Sequence, residues 1–231
     1  MQKRVMIPMA GAAAVAILAA AGAYTYFFSG LRTSPPPLAL SSPAPSASAA
    51  VSPSTSTSAG YAGTWQIGSG STAGYRVKEQ FVGQTSSHEA VARTSAIAGQ
   101  LAISQSGSTY QLTGATITVQ LSSLASVDQV AGYNVTNRDR LVTGSLDVSQ
   151  FPTAVFQAQA VAIPAGAENG QAVIVSVPGM LTIHGVTKAV TATVQLQVSG
   201  STAQAAGSVT VDMGDFGITP PRAPFTAVQT G

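Results

Sequence analysis

The residues best suited to chemistry gather in "LTIHGVTKAV", residues 181–190, where His184, one of two histidines in the chain, stands beside Gly185, Thr187 and Lys188. An imidazole hydrogen-bonds or moves protons, and a Lys ammonium suits phosphate as a point charge. Two readings follow. In one, His184 and Lys188 sit at the mouth of a cavity and hold a lipid head group. In the other, Gly185 supplies a turn conformation that other residues resist, Lys188 is solvated, and His184 hydrogen-bonds to backbone. The hairpin accounts for every residue and leads.

Arg138 and Asp139, in "NRDRL", form the second candidate. An Arg fork grips a pyrophosphate with two parallel hydrogen bonds. Equally, an Arg–Asp network pins the 122–142 loop to the body, and this reading leads. Glu79 shares the apolar face of its strand with Tyr75, Val77 and Phe81. A buried carboxylate needs a partner, and Arg138 or Arg93 fits.

Other chemistries find little here. The chain has no cysteine, and His88 and His184 lack any metal-ligand spacing, so no metal is expected. There is no G-x-S-x-G elbow, and the Gly-rich "GSGSTAG" (68–74) lacks the Lys of a phosphate loop. No catalytic residue and no cofactor is assigned. From residue 60 onward seven Lys/Arg face all eight Asp/Glu, a net charge of −1. No basic cluster addresses nucleic acid, which is set aside as a partner.

The elements that must position these groups follow from composition. The 231 residues are 45% hydrophobic and 8% charged. Lys3 and Arg4 precede an uncharged run from Val5 to Phe28, long enough to span a bilayer core, with Tyr24, Tyr26, Phe27 and Phe28 at its outer end. Residues 1–32 therefore read as a single-pass membrane anchor with the rest of the chain outside the cytoplasm. The rival reading is a cleaved signal peptide, with "AGA" (21–23) as the cleavage site and the rest secreted or periplasmic. Residues 33–60, Pro/Ser/Thr/Ala-rich and uncharged, read as a disordered linker reaching at most roughly 85 Å. Period-2 alternation then takes over, in "GYRVKEQF", around Ile97–Ile103 and Ile117–Leu121, in "VIVSVPGMLTI", in "VTATVQLQV" and in "VTVDM". Residues 122–142 break it and read as a loop with one or two helical turns. The fold expected for residues 61–231 is all-β: an antiparallel barrel or sandwich of seven or eight strands with a short helical loop.

Several segments carry a resemblance. "WQI" (65–67), "YRVKEQF" with "ARTSAIAGQL", "NRDRL", "LDVSQFPTAVFQA" (146–158), "GMLTIHGVTKAVT" (179–191) and "DFGI" (215–218) are collinear and resemble the YceI-like family of lipocalin-like, polyisoprenoid-binding proteins, in an actinobacterial-looking branch. The resemblance implies a lipocalin-like barrel of about eight strands around an elongated apolar cavity, a long-chain isoprenoid or other amphiphilic lipid as ligand, and a place in the cell envelope. It also implies a final apolar strand beyond "TAVQTG", so the barrel is expected either to lack its last strand or to close on a short edge. Gly68-Ser69 stand where the family has an acid.

The function expected is non-catalytic binding or carriage of such a lipid. The cavity-lining candidates are Tyr75, Val77, Phe81, Ile97, Leu101, Ile117, Phe156, Val175 and Leu196, and the head-group candidates are Arg138, His184 and Lys188. The alternatives are a ligand-free structural or stress module of the envelope and, behind it, an esterase-type enzyme. Oligomeric state is not readable.

Overall fold

The computed structural model of the chain describes residues 32–40, 61–81, 87–130, 133–199 and 202–221, and the backbone alone of 226–228. All but Arg32 of the anchor reading (1–32), and residues 41–60 of the linker reading (33–60), fall outside the described residues. Among the described residues no helix is long and apolar enough to cross a membrane.

The strands are β1 (Arg32–Thr33), β2 (Gly63–Gln66), β3 (Ala73–Phe81), β4 (His88–Thr94), β5 (Ile97–Ser106), β6 (Thr109–Gln120), β7 (Ala125–Ser126), β8 (Gln129–Val130), β9 (Thr153–Ala158), β10 (Val161–Ile163), β11 (Val173–Ile183), β12 (Val186–Ser199), β13 (Thr202–Ser208) and β14 (Thr226–Val228). Among the described residues one α-helix, Thr136–Ser145, accompanies them. The strands pair antiparallel throughout. The larger sheet runs β13-β12-β11-β9-β6-β5-β2 with β10 also on β6, a smaller one runs β14-β3-β4-β7, and β1 pairs with β8.

The larger sheet is strongly curled. One apolar cluster joins Trp65 and Leu101 of β2 and β5 to Leu196 and Val198 of β12, with Tyr61, Tyr110 and Ile163. β5 and β12 are separated in the sheet by β6, β9 and β11, so a flat sheet could not bring them together. Register fixes which residues share the concave face. Ile117 stands opposite Phe156, and Phe156 opposite Leu181, while Val173 stands opposite Leu196. Directly paired residues lie on one side of a sheet, so all of these face inward.

The expected barrel is therefore a half-barrel. Its eight strands agree with the expected number, but the ladder does not close among the described residues. The wall splits at two turns. Between β2 and β3 the chain passes through Gly70 at φ +86° with a turn from Ser71 N–H to the Gly68 carbonyl. Between β4 and β5 the Thr94 hydroxyl accepts from Ala96 N–H at 2.9 Å and redirects the chain. β14, within "TAVQTG", pairs with the Glu79–Phe81 end of β3. "VTVDM" is not a strand: the ladder beside β12 is taken by β13, and Val209, Val211 and Met213 instead pack on the Leu181–Phe216–Ile218 cluster. The 122–142 stretch holds two very short strands and a helix that extends to Ser145, longer than expected.

The start of the linker is ordered. Thr33 belongs to β1, and Ser34 to Pro36 lie against β3 and β4. Proline has carbonyls and no N–H, and donors on the sheet take them up.

The 181–190 hairpin forms as the leading reading has it, joining β11 to β12 through His184 at φ +52° and Gly185 at φ +73°. Two consecutive positive φ values give the turn twist that long antiparallel strands accept. A Cβ on Gly185 would lie 2.6 Å from Phe151 Cε1. Gly185→Ala therefore meets both backbone strain and a clash, and is expected to destabilise the domain by about 1–3 kcal/mol, read as a lower urea midpoint at unchanged slope.

Candidate functional site

Two polar constellations and one apolar face result. The first constellation is buried. Arg138, in the first turn of the helix, is the one residue that the helix buries fully. Its Nη1 donates to Glu79 Oε1 at 2.8 Å, and its Nη2 donates to Asp128 Oδ1 and to Ser126 Oγ, the latter at 2.9 Å. His88, paired with Glu79 across β3 and β4, donates from Nε2 to Asp128 Oδ2 at 2.7 Å. Val91 N–H reaches Asp128 Oδ1 at 3.1 Å. Asp139 meets the same Ser126, accepting from its N–H at 3.0 Å and its Oγ–H at 2.6 Å. The helix, poor in apolar contacts, is thus fastened to β3, β4 and β7 by charge-assisted hydrogen bonds.

Burial pushes the Glu79 carboxyl above the usual carboxylate range, outweighing the attraction of Arg138 and His88. Burial pushes Asp128 upward too, but there the His88 and Val91 hydrogen bonds and Arg138 together prevail and hold it below its ordinary value. Desolvation works against the Arg138 charge, and Glu79 and Asp128 more than restore it. The Tyr75 hydroxyl is buried beside this network and, chiefly from desolvation, is pushed up to about 12. It has no hydrogen-bond partner, and neither has Arg138 Nε.

Glu79, His88 and Asp128 bring three ligand atoms within 4.8 Å of one another. The Arg138 guanidinium bridges the two carboxylates and supplies the positive charge that a metal ion would bring. Of the two partners considered for Glu79, Arg138 is the one found; Arg93 donates instead to the Pro36 carbonyl. Sequence reasoning missed His88 and Asp128. His88 precedes the small residues Ala90 and Ala92 on its face, and Asp128 lies in an irregular loop, so no periodicity marked either.

The second constellation surrounds the hairpin. A depression of about 450 Å³ is lined by Leu141, Gly144 and Ser145 from the end of the helix, by His184, and by Gly217 to Pro221 without Ile218. His184 Nδ1 donates to the Phe216 carbonyl at 3.2 Å, and its ring stands edge-on to Phe151 at 5.1 Å. Lys188 is exposed on β12, opposite Leu181. The three head-group candidates are not brought together. Arg138 lies in the buried network at the start of the helix, while His184 borders the depression at its end. Among the described residues neither histidine is hydrogen-bonded to a serine hydroxyl.

Of the lining candidates, Phe81 and Val175 are buried and the other seven half-buried. Leu101 and Leu196 join the first apolar cluster, Tyr75 a second around Ala92, Leu121 and Leu124, and Phe156 the third around Leu181, Phe216 and Ile218. Ile97 and Ile117 lie on the concave face of β5 and β6, and Val77 on the inward side of β3.

A curled antiparallel sheet with an apolar concave face defines a lipocalin-like class of fold. Residues 65–230 match the YceI-like domain family, and the chain belongs to it. Among solved structures it is similar to a polyisoprenoid binding domain from Saccharophagus degradans implicated in plant cell wall breakdown, at 15% identity over 68% of this chain and 82% of that one, with a TM-score of 0.45. It is also similar to BcnA of Burkholderia cenocepacia, at 21% identity over 62% and 80%, with a TM-score of 0.42. No curated protein matches the chain.

The buried network has measurable consequences. Arg138→Met leaves two carboxylates buried without their shared cation and is expected to cost about 3–5 kcal/mol in urea unfolding. Its acid limb divides by sign. Asp128 is lowered when folded, so it contributes stability above its ordinary value of 3.8, lost as pH falls below that. Glu79 is raised, so its ionisation costs stability at neutral pH, and that cost disappears as pH falls through its raised value toward 4.5. In Glu79→Gln the stability that wild type gains as the pH falls toward 4.5 is expected to be lost, as read by unfolding free energy against pH.

Proposed function

We propose that the domain binds a long-chain amphiphilic lipid of polyisoprenoid type against the concave face of its curled sheet, as a carrier or binding module and not as an enzyme. The observation that carries this reading is the division of the interior. A domain of this size usually packs one contiguous core, whereas among the described residues the buried apolar side chains include three clusters, the second and third joined through half-buried Leu146, with Ile97, Ile117 and Val77 outside all of them and only half-buried. Apolar side chains that face inward without filling the interior offer a chain of methylenes a dry contact, at about 0.8 kcal/mol for each CH₂ taken from water. The YceI-like membership agrees with it. We place the domain in the cell envelope, outside the cytoplasmic membrane, with residues 1–31 as its anchor; the Lys3-Arg4 pair before an uncharged run to Phe28 supports this.

Lipid extraction and native mass spectrometry of the purified full chain are expected to recover a bound prenyl or acyl amphiphile. Ile117→Trp, which fills the concave face, is expected to lower the affinity for a fluorescent prenyl probe at least tenfold while the circular dichroism spectrum stays native. A chain that yields no amphiphile and binds no prenyl probe would overturn the proposal.

A further inference from the structure

The first residues after the proposed anchor form a strap. Arg32 pairs with Val130 and Thr33 with Gln129. Ser34 Oγ donates to the Glu89 carbonyl at 2.5 Å, Arg76 Nη1 to the Pro35 carbonyl at 2.7 Å, and Arg93 Nη2 to the Pro36 carbonyl at 2.6 Å. The Arg32 guanidinium lies 5.5 Å from the centre of the Phe81 ring. A Pro-Pro-Pro run offers carbonyls and no N–H groups, so guanidinium donors are the side chains that fit it. Such a run is extended and stiff before it docks, so docking orders little that was free.

The strap crosses the outward face of β3 and β4. Arg76 and Lys78 alternate with Val77 and Glu79, of which Glu79 is buried, and Arg93 and Glu89 stand opposite Gly74 and Lys78. Arg76, Lys78 and Arg93, three of the eight Lys/Arg from residue 32 onward, therefore lie on this face, and Glu89 is the acid in the same registers. Arg76 pairs with Glu89 and holds that carboxyl below its usual range. The chain from residue 60 has a net charge of −1, so positive charge is concentrated here against the balance of the whole.

The apolar run ends at Phe28, four residue steps before Arg32. Four steps reach at most about 14 Å. We propose that the strapped face of β3 and β4 is a membrane-contact surface, holding the domain on an anionic lipid bilayer and not at the end of a long tether. The proposal rests on the anchor reading of residues 1–31. The chain between Pro36 and Tyr61 then joins two points of one domain and adds nothing to its height above the membrane. Positive side chains within a Debye length of anionic head groups are attracted to them, and the short reach keeps them there.

The chain has no cysteine, so one introduced cysteine takes one fluorophore. Ser87 is exposed just before β4, near the Phe81 end of β3, and Ser106 is exposed at the β5–β6 turn. Full-length Ser87→Cys and Ser106→Cys chains are labelled and reconstituted into phosphatidylcholine vesicles containing phosphatidylglycerol and a head-group quencher. Quenching of the Ser87 label is expected to exceed that of the Ser106 label several-fold. The contrast is expected to collapse when Arg76→Ala and Arg93→Ala release the strap from a domain whose circular dichroism stays native. It is also expected to shrink when phosphatidylglycerol is omitted. Equal quenching of both labels in chains that sediment with the vesicles would overturn the strap and leave the anchor standing, as would a contrast that survives the double substitution. Chains that remain in the supernatant would remove the anchor, and the proposal with it.

Discussion

A guanidinium held between two buried carboxylates decides how the smaller sheet, the helix and the loop before it fit together. Arg138 cannot leave the network without stranding Glu79 and Asp128 in a low-dielectric interior, and neither acid can lose Arg138 without a comparable cost. The helix buries no apolar residue fully, so its position depends on this bond set and on the Asp139–Ser126 pair. A hydrophobic contact in the same place would tolerate sliding. Directional bonds from adjacent helix residues, Arg138 to Glu79, Asp128 and Ser126 and Asp139 to Ser126, fix both its rotation and its height.

That rigidity matters for the concave face. With the helix fixed, its last turn borders the depression beside His184, while the Leu146 and Val148 that follow pack into the second apolar cluster. The third cluster takes Leu146 as well, with Phe156 and Phe216. Packing at this end is thereby completed by the helix and by "DFGI", and packing at the other by Tyr61, Tyr110 and Ile163. The middle of the concave face is left to residues such as Ile117, whose register neighbours are Gly99 and Phe156.

The sequence made the long strands legible because they are half-buried and alternate cleanly: β3, β11 and β12 follow the period-2 pattern over most of their length. It misled at "VTVDM", where alternation reflects packing onto a cluster without a ladder, and it was silent at β13, whose "TAQAAGS" is an exposed edge with almost no apolar signal. Closure was not legible at all, since pairing between distant strands and its interruption at Gly70 depend on backbone geometry that periodicity does not record. Within the candidate site, Glu79 was legible as an acid on an apolar face in need of a partner. His88 and Asp128 were not, because they meet through a loop of irregular structure. The strap was hidden by composition: a Pro-rich run reads as a spacer unless the donors that receive its carbonyls, here Arg76 and Arg93, are known to stand in register on one sheet.

The motifs that stand out most in the sequence turn out to touch one another. His184 of "TIHG" donates to the carbonyl of Phe216 in "DFGI", Gly185 lies against Phe151 of "FPTAVF", and Gly217 takes φ +66° directly after Phe216. Histidine tolerates a positive φ better than β-branched residues do, and here it also supplies a ring donor at the right height to tie the hairpin to the chain's late turn. The histidine that first suggested proton transfer is therefore accounted for by a turn that must be tight and a carbonyl that must be satisfied. With His184 engaged in that way and Arg138 sealed in its network, Lys188 is the head-group candidate left open to solvent, and its register with Leu181 puts it on the inward side of the sheet.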